Sequence, residues 1–348
     1  MTGCTDFTVR SNYTENKETV PMRLSALKTT ALALAFGASV GLASVGAEAQ
    51  TRLTLKSASS TSSYYVMMVQ LAEMLENATD GQIQPTVEES QGSVQNVKEA
   101  ARRPGAFLFT TPPSLLDTAR AGEGDFEGEE GYDRIRTLFA VPFITIHFVV
   151  SEDSGIENVE DLAGTNFIPG GTGTFCEGRT KAVLGLLGLG EDVEYSNVEL
   201  NNAPDALRNG RVDGYATCSS HPVPGLVELA TTTDVNILSF TDEQREKIFA
   251  EDPLSGPITI AAGTYDGQDE PVNTVAVPVG AFGTTDMDDD TAYQIVKSFW
   301  EQRDALVGEN PWWEGVTPDL VAQMGTPIHP GALRYYEEAG IEIPESMR

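Results

Sequence analysis

The chain has 348 residues, with 52 acidic side chains, 22 basic ones, three histidines and a formal charge of −30. That length suits one large domain or two ordinary ones. A hydrophobic content of 40% supports a buried core and excludes whole-chain disorder. The acidic surplus argues against a nucleic acid or an anionic membrane as partner, because phosphates would be repelled.

Residues 1–49 read as a leader. Arg23 and Lys28 flank the start of an apolar run from Ala31 to Val45, and Ala47-Glu48-Ala49 ends it before Gln50. A basic start, a short apolar stretch and a small-x-small ending describe a secretory signal peptide, over about 22–49. The run is too short, and too rich in Gly and Ser, for a stable membrane span. Met22 stands where such a signal should begin, so residues 1–21 are expected to be an over-called start. Four acids and four bases fall in 1–49, so the mature part carries the whole charge of −30. A periplasmic protein is expected.

The mature chain alternates strands with helices. Arg52–Ser57 reads as a strand, and Tyr65–Asn77 as a helix with a stripe of Met67, Met68, Leu71, Met74 and Leu75. Ile83–Glu88 is a strand, Ser93–Ala101 a helix and Phe107–Thr110 a buried strand. Pro112-Pro113 opens a helix through Ala119, and Gly122–Gly131 is an acidic loop. Leu138–Val141 and His147–Val150 read as two strands. After Asp153-Ser154-Gly155 the rhythm restarts. Asn166–Ile168 and Val212–Thr217 are strands. Arg179–Leu187 and Ala203–Asn209 are helices closed by glycines, and Val223–Glu251 continues the alternation. Val272–Pro278 reads as a fully buried strand, and Thr291–Leu306 as the longest helix. A Pro/Gly-punctuated tail follows.

Repeated β-α units imply an α/β fold with mostly parallel sheets. The expected lobes are 50–145 plus 280–348 (lobe I) and 146–279 (lobe II). Ligands in such folds bind at the carboxyl ends of strands, often between lobes. The informative loops are then Ser59–Tyr64, Ser90–Asn96, Thr110–Ser114, Gly170–Thr174 and Thr217–His221. They are rich in hydroxyls and glycines and poor in charge, and four of the five enter a predicted helix. Hydroxyls and free N–H groups at helix N-termini suit a small anion, most plausibly a carboxylate. Ser and Thr also serve there as ordinary caps.

No P-loop, GxSxG elbow, HExxH or CxxC occurs, and His147, His221 and His329 lack metal-ligand spacing. No catalytic base pairs with a Ser or Cys in the sequence pattern. The site is therefore read as one for binding, without metal or cofactor. An enzyme on the same fold stays as an alternative, to be favoured if His147 or His221 reaches a cysteine or a cleft serine.

A series of short motifs carries a resemblance. In order they are Ser60-Thr61-x-x-Tyr64-Tyr65, Gly92-Ser93-x-x-Asn96, and His147-x-Val149-Val150 before Asp153-Ser154-Gly155-Ile156. Asp161-Leu162-x-Gly164, the Gly170–Thr174 loop and Ala206-Leu207-x-x-Gly210-x-x-Asp213 follow. Ala262-Gly263-Thr264-Tyr265-x-Gly267-Gln268-x-Glu270 and Pro327-Ile328-His329-Pro330-Gly331-Ala332-x-x-Tyr335-Tyr336 close the series. From about residue 51 to its end, the sequence resembles the TAXI family of solute-binding proteins of TRAP transporters.

The resemblance implies a two-lobed, class II-like periplasmic-binding-protein fold. It implies a monomeric receptor that captures a small organic anion, glutamate-like or 2-oxoglutarate-like, and delivers it to a membrane TRAP permease. A sensing module presenting its ligand to a membrane receptor is the alternative partner arrangement. On the family pattern Thr61, Ser63, Tyr64, Ser93, Asn96 and Thr110 would bind from lobe I. Gly171, Thr172, Gly173, Thr174, Ser219 and Tyr265 would bind from lobe II, with Arg179 as a carboxylate clamp.

The sequence departs from the pattern in three places. Thr110-Thr111-Pro112-Pro113 stands where a Gln-Ser-Asp type loop is usual. Phe175-Cys176-Glu177-Gly178-Arg179 stands where Gly-Thr is usually followed by Arg, so Arg179 either replaces that Arg or falls short of the site. Cys218 lies in a variable loop. In an oxidising compartment Cys176 and Cys218 either pair or remain two buried thiols. Closure is expected by hinge motion of segments near 141–150 and 273–283.

Overall fold

The computed structural model describes residues 50–348. The expected leader lies outside the described residues. The chain begins with β1 (Thr51–Lys56), α1 (Ser63–Ala78), β2 (Ile83–Glu88), α2 (Ser93–Ala100), β3 (Phe107–Thr111) and α3 (Pro113–Ala121). Then come β4 (Ile135–Ser151), β5 (Asn166–Ile168), α4 (Phe175–Leu186), β6 (Glu194–Tyr195), α5 (Ala203–Arg208) and β7 (Gly214–Ser219). They are followed by α6 (Pro224–Ala230), β8 (Val235–Ile237), α7 (Asp242–Glu251) and β9 (Gly256–Ile260). The chain closes with β10 (Val272–Thr284), α8 (Asp289–Glu309) and α9 (Pro330–Glu338).

The strands form a mixed sheet in the order β2-β1-β3-β10-β4-β7-β5-β6, with β8 beside β4 and β9 beside β10. Parallel pairing occupies the two ends: β1 with β2 and β3, and β5 with β6 and β7. The middle is antiparallel, because β10 and β4 run alongside each other and form the crossing between the ends. Three buried clusters follow this division. The first draws on Leu53–Ile144 and returns through Val277–Met347. The other two draw on residues between Ile146 and Val275. The result is a two-lobed α/β fold.

Two strands were expected on either side of Pro142, yet β4 runs straight through it. The ladder absorbs Pro142 at an irregularity: Val277 pairs with Ile144, while Val279 pairs with Val141. Pro142 and Pro278 both sit at that step, and neither has an N–H to lose from a ladder. A bulge relaxes pairing and bends the sheet locally, and this one lies where the buried clusters divide.

The α1 stripe packs as its spacing predicts: Met67, Met68, Leu71 and Leu75 have no exposure, and Met74 little. Each such side chain contributes roughly 1.5–3 kcal/mol on burial. β3, Phe107–Thr111, is buried along its whole length, as a strand covered on both faces must be. The C-terminal segment returns to the first lobe. Phe139 stacks on Phe299 of α8 at 4.0 Å between centroids, and the Tyr336 hydroxyl donates to the Leu138 carbonyl at 2.9 Å. Three elements escape the sequence reading: β6, β9, and α9 within the Pro/Gly-punctuated tail.

Candidate functional site

A cavity of about 70 Å³ lies between the lobes. Its walls come from the loops after β1 and β2 and the end of β3 on one side, and from α4, β7 and the start of α6 on the other. Local capping shapes these walls. The Ser62 hydroxyl accepts from Tyr64 N at 3.2 Å and starts α1. The Thr174 hydroxyl accepts from Glu177 N at 3.0 Å, so α4 begins at Phe175, four residues earlier than the sequence reading placed it. Gly92 starts α2 at φ 103° with no side-chain cap, which leaves first-turn N–H groups there without one.

Most of the expected residues converge here. Thr61, Tyr64, Ser93, Asn96 and Thr110 line the cavity from lobe I, and Thr174 and Ser219 from lobe II. Several of them are committed to the protein itself. The Tyr64 hydroxyl donates to the Pro142 carbonyl at 2.6 Å. Asn96 donates to the Ser57 carbonyl at 2.8 Å and accepts from the Ser90 hydroxyl at 2.7 Å, bracing the first two loops. Ser63 lies just behind the wall, with its hydroxyl 2.5 Å from that of Ser219.

Other expected residues lie apart from the cavity lining. Arg179 is on the first turns of α4 and pairs with Asp252 at 3.0 Å, while also donating to Ser255 Oγ at 2.8 Å. The early start of α4 explains this: Arg179 sits one turn into the helix and faces the end of α7. Thr172 and Gly173 line a separate surface pocket beside Lys98, Arg102 and Arg103. The Gly173 N–H donates to Glu177 Oε2 at 2.6 Å. Gly171 packs on Leu200. Tyr265 is buried behind the wall. Its hydroxyl accepts from Val223 N at 3.0 Å and lies 2.9 Å from His147 Nε2.

Cys176 and Cys218 form a disulfide with a Cα separation of 5.4 Å, and both line the cavity. It fastens the first turn of α4 to the end of β7. A side chain at Gly170 would bring its Cβ within 2.6 Å of Cys176 Sγ, so this crossing needs glycine.

Sequence reading missed Tyr215, and it placed Thr217 in a site loop without naming it as a binding residue; both line the cavity beside Ser219. The three alternate along β7 and so share one face. It also missed the apolar wall, including Phe175, Leu200 and Val279. The lobes touch across the mouth. Gly225 N donates to the Thr61 carbonyl at 3.0 Å, and the Asn201 side-chain carbonyl accepts from the hydroxyls of Thr61, at 3.1 Å, and Ser59. Glu89 accepts from Ser60 N at 2.7 Å, and this bond holds its carboxyl below the usual range.

No charged side chain lines the cavity among the described residues. The histidines are engaged elsewhere. His147 Nδ1 lies 3.1 Å from the Thr145 carbonyl, and His221 Nδ1 lies 2.9 Å from the Thr145 hydroxyl. Burial pulls His147 down to about 3, too weak a base for proton abstraction at neutral pH. Both cavity cysteines are disulfide-bonded, so neither offers a thiolate.

Solved structures share this architecture. The periplasmic binding protein BugD is 13% identical with a TM-score of 0.52, over 85% of this chain and 99% of that one. A periplasmic transporter is 11% identical with a TM-score of 0.51, over 83% and 94%. A TRAP periplasmic solute-binding protein from Desulfovibrio salexigens, in complex with diglycerolphosphate, is 13% identical with a TM-score of 0.44, over 86% and 93%. The first two likenesses bear on the fold alone, the two-lobed fold of periplasmic binding proteins. The family follows from the sequence itself: residues 55–340 match the NMT1-like family, and the chain belongs to it.

Proposed function

We propose that this protein is a periplasmic solute receptor of the TAXI type. It captures a small organic anion between its lobes and delivers it to a TRAP-type membrane permease. The observation that carries the reading is the hydroxyl-rich, charge-free cavity lined from both lobes and bridged across its mouth. The ordered motifs from Ser60 to Tyr336 favour the TAXI assignment. The first-turn N–H groups of α2, which has no side-chain cap, favour an anion, since helix N-termini carry partial positive charge.

Binding proceeds by closure. The lobes swing about the step at Pro142 and Pro278, and the Ser57–Ser62 loop docks on Asn201 and Gly225. Ser93, Thr110, Thr174 and Ser219 then surround the solute, with Thr61 at the mouth.

A thermal-shift screen against small carboxylates, sulfonates and amino acids tests the reading. A cognate ligand at one hundred times its Kd stabilises the protein by about 2.7 kcal/mol. A rise of several degrees is expected for at least one small anion. If no compound in the panel moves the melting temperature, the receptor reading fails.

A further inference from the structure

We infer that the solute is a short-chain monocarboxylate, with a single oxyanion head and an apolar tail, and not a dicarboxylate or an amino acid. This rests on the receptor reading above and sharpens its ligand class.

The first observation is charge. A second carboxylate inside this cavity would find no Arg, Lys or His, and an ammonium would find no Asp or Glu, among the described lining residues. Buried charges need partners. The nearby cation Arg179 is taken by Asp252, and Glu89 at the mouth would repel a second carboxylate. One carboxylate is different. Hydroxyls and helix N-terminal N–H groups can hold a single anion without a cation.

The second observation is a set of unspent hydroxyls. Thr110, Tyr215 and Thr217 line the cavity at 4%, 2% and 6% exposure. Among the described residues their hydroxyls make no hydrogen bond, whereas Tyr64, Asn96 and Ser219 are already engaged. Each free hydroxyl can donate one hydrogen bond to an anion in the cavity. Thr110 stands on lobe I and the other two on lobe II, so the cavity offers free hydroxyl donors from both lobes.

The third observation is the remaining wall. Ile144, Phe175, Leu200, Val223, Leu226 and Val279 supply an apolar stretch of wall for a tail, alongside neutral polar groups such as Gln91, Ser93 and Thr174. The volume of about 70 Å³ is about half that of a cavity of about 150 Å³ that takes benzene, so the tail is short.

Titration calorimetry on the mature protein at neutral pH tests this with propionate and butyrate. Succinate, 2-oxoglutarate, glutamate, ethanesulfonate and uncharged butyramide serve as comparison ligands. At least one monocarboxylate is expected to bind about tenfold or more tighter than every comparison ligand, a difference of about 1.4 kcal/mol. Thr217→Val and Tyr215→Phe, both near-isosteric, should each weaken it several-fold while the ligand-free melting temperature holds. A dicarboxylate, an amino acid, the sulfonate or the amide binding as tightly as the monocarboxylates overturns the inference and leaves the receptor standing. Unchanged monocarboxylate affinity in both variants also overturns it. If no ligand in this series or in the wider thermal-shift panel binds, the receptor reading falls as well.

Discussion

His147 is fully buried, and burial together with the neighbouring His221 pulls its pKa from the ordinary 6.5 down to about 3. Its folded pKa is depressed, so the unfolded chain takes up a proton that the folded protein refuses. Stability is therefore complete above about pH 6.5 and is lost as pH falls toward 3. By pH 4.5 this one residue should cost about 2–3 kcal/mol. His147→Gln should remove that share, read as a flatter pH dependence of urea unfolding between pH 6.5 and 4.5. Identical slopes in the two proteins would contradict the assignment. His329 is also lowered by burial and remains in both proteins, while the repulsion between His147 and His221, itself lowered by burial, is part of the share that the substitution removes. At this scale Ser, Thr and Gly at strand ends were legible, because capping and turn chemistry are local. Tyr215 was not: β7 is buried along nearly its whole length, so no polar–apolar alternation marks the side that meets the cavity.

Among elements, most helices and the strands β1, β2, β3 and β5 could be read from their periodicities, but the crossing strands could not. Pro142 and Pro278 look like strand ends, and only pairing between β4 and β10 reveals that both strands continue through a bulge. The start of α4 was misplaced for a similar reason. The reading opens this helix at Arg179, yet the Thr174 cap starts it at Phe175 and takes Gly178 inside. That register carries Arg179 to Asp252 and brings Cys176 against Cys218. The chain-entropy picture credits a disulfide closing a loop of this length with about 4 kcal/mol. Closure itself depends on the start of α6. A Cβ on Gly225 would stand 2.9 Å from Thr61 Cβ, part of the opposite wall. Gly225→Val should hold the loop after β1 off lobe II. Affinity for any ligand found by thermal shift should fall at least tenfold, with the ligand-free melting temperature nearly unchanged. Equal affinity in calorimetry would show that this contact does not govern closure.

For the whole molecule, the acidic surplus and the α/β rhythm were legible because composition and periodicity survive without tertiary knowledge. The surplus sits on exposed runs such as Asp242–Glu251 and Asp286–Asp290, while the cavity wall carries none of it among the described residues. What sequence could not supply was the pairing of distant segments: which loops face each other, and which hydroxyls remain unspent. The central claim is that a solute bound between the lobes draws them together. It is tested most directly by the distance between spin labels on two exposed sites, Asp117 on α3 and Glu228 on α6, measured with and without a ligand that raises the melting temperature. The account predicts that saturating ligand shifts the distribution to a single, shorter and narrower distance. A distribution unchanged by such a ligand would contradict it.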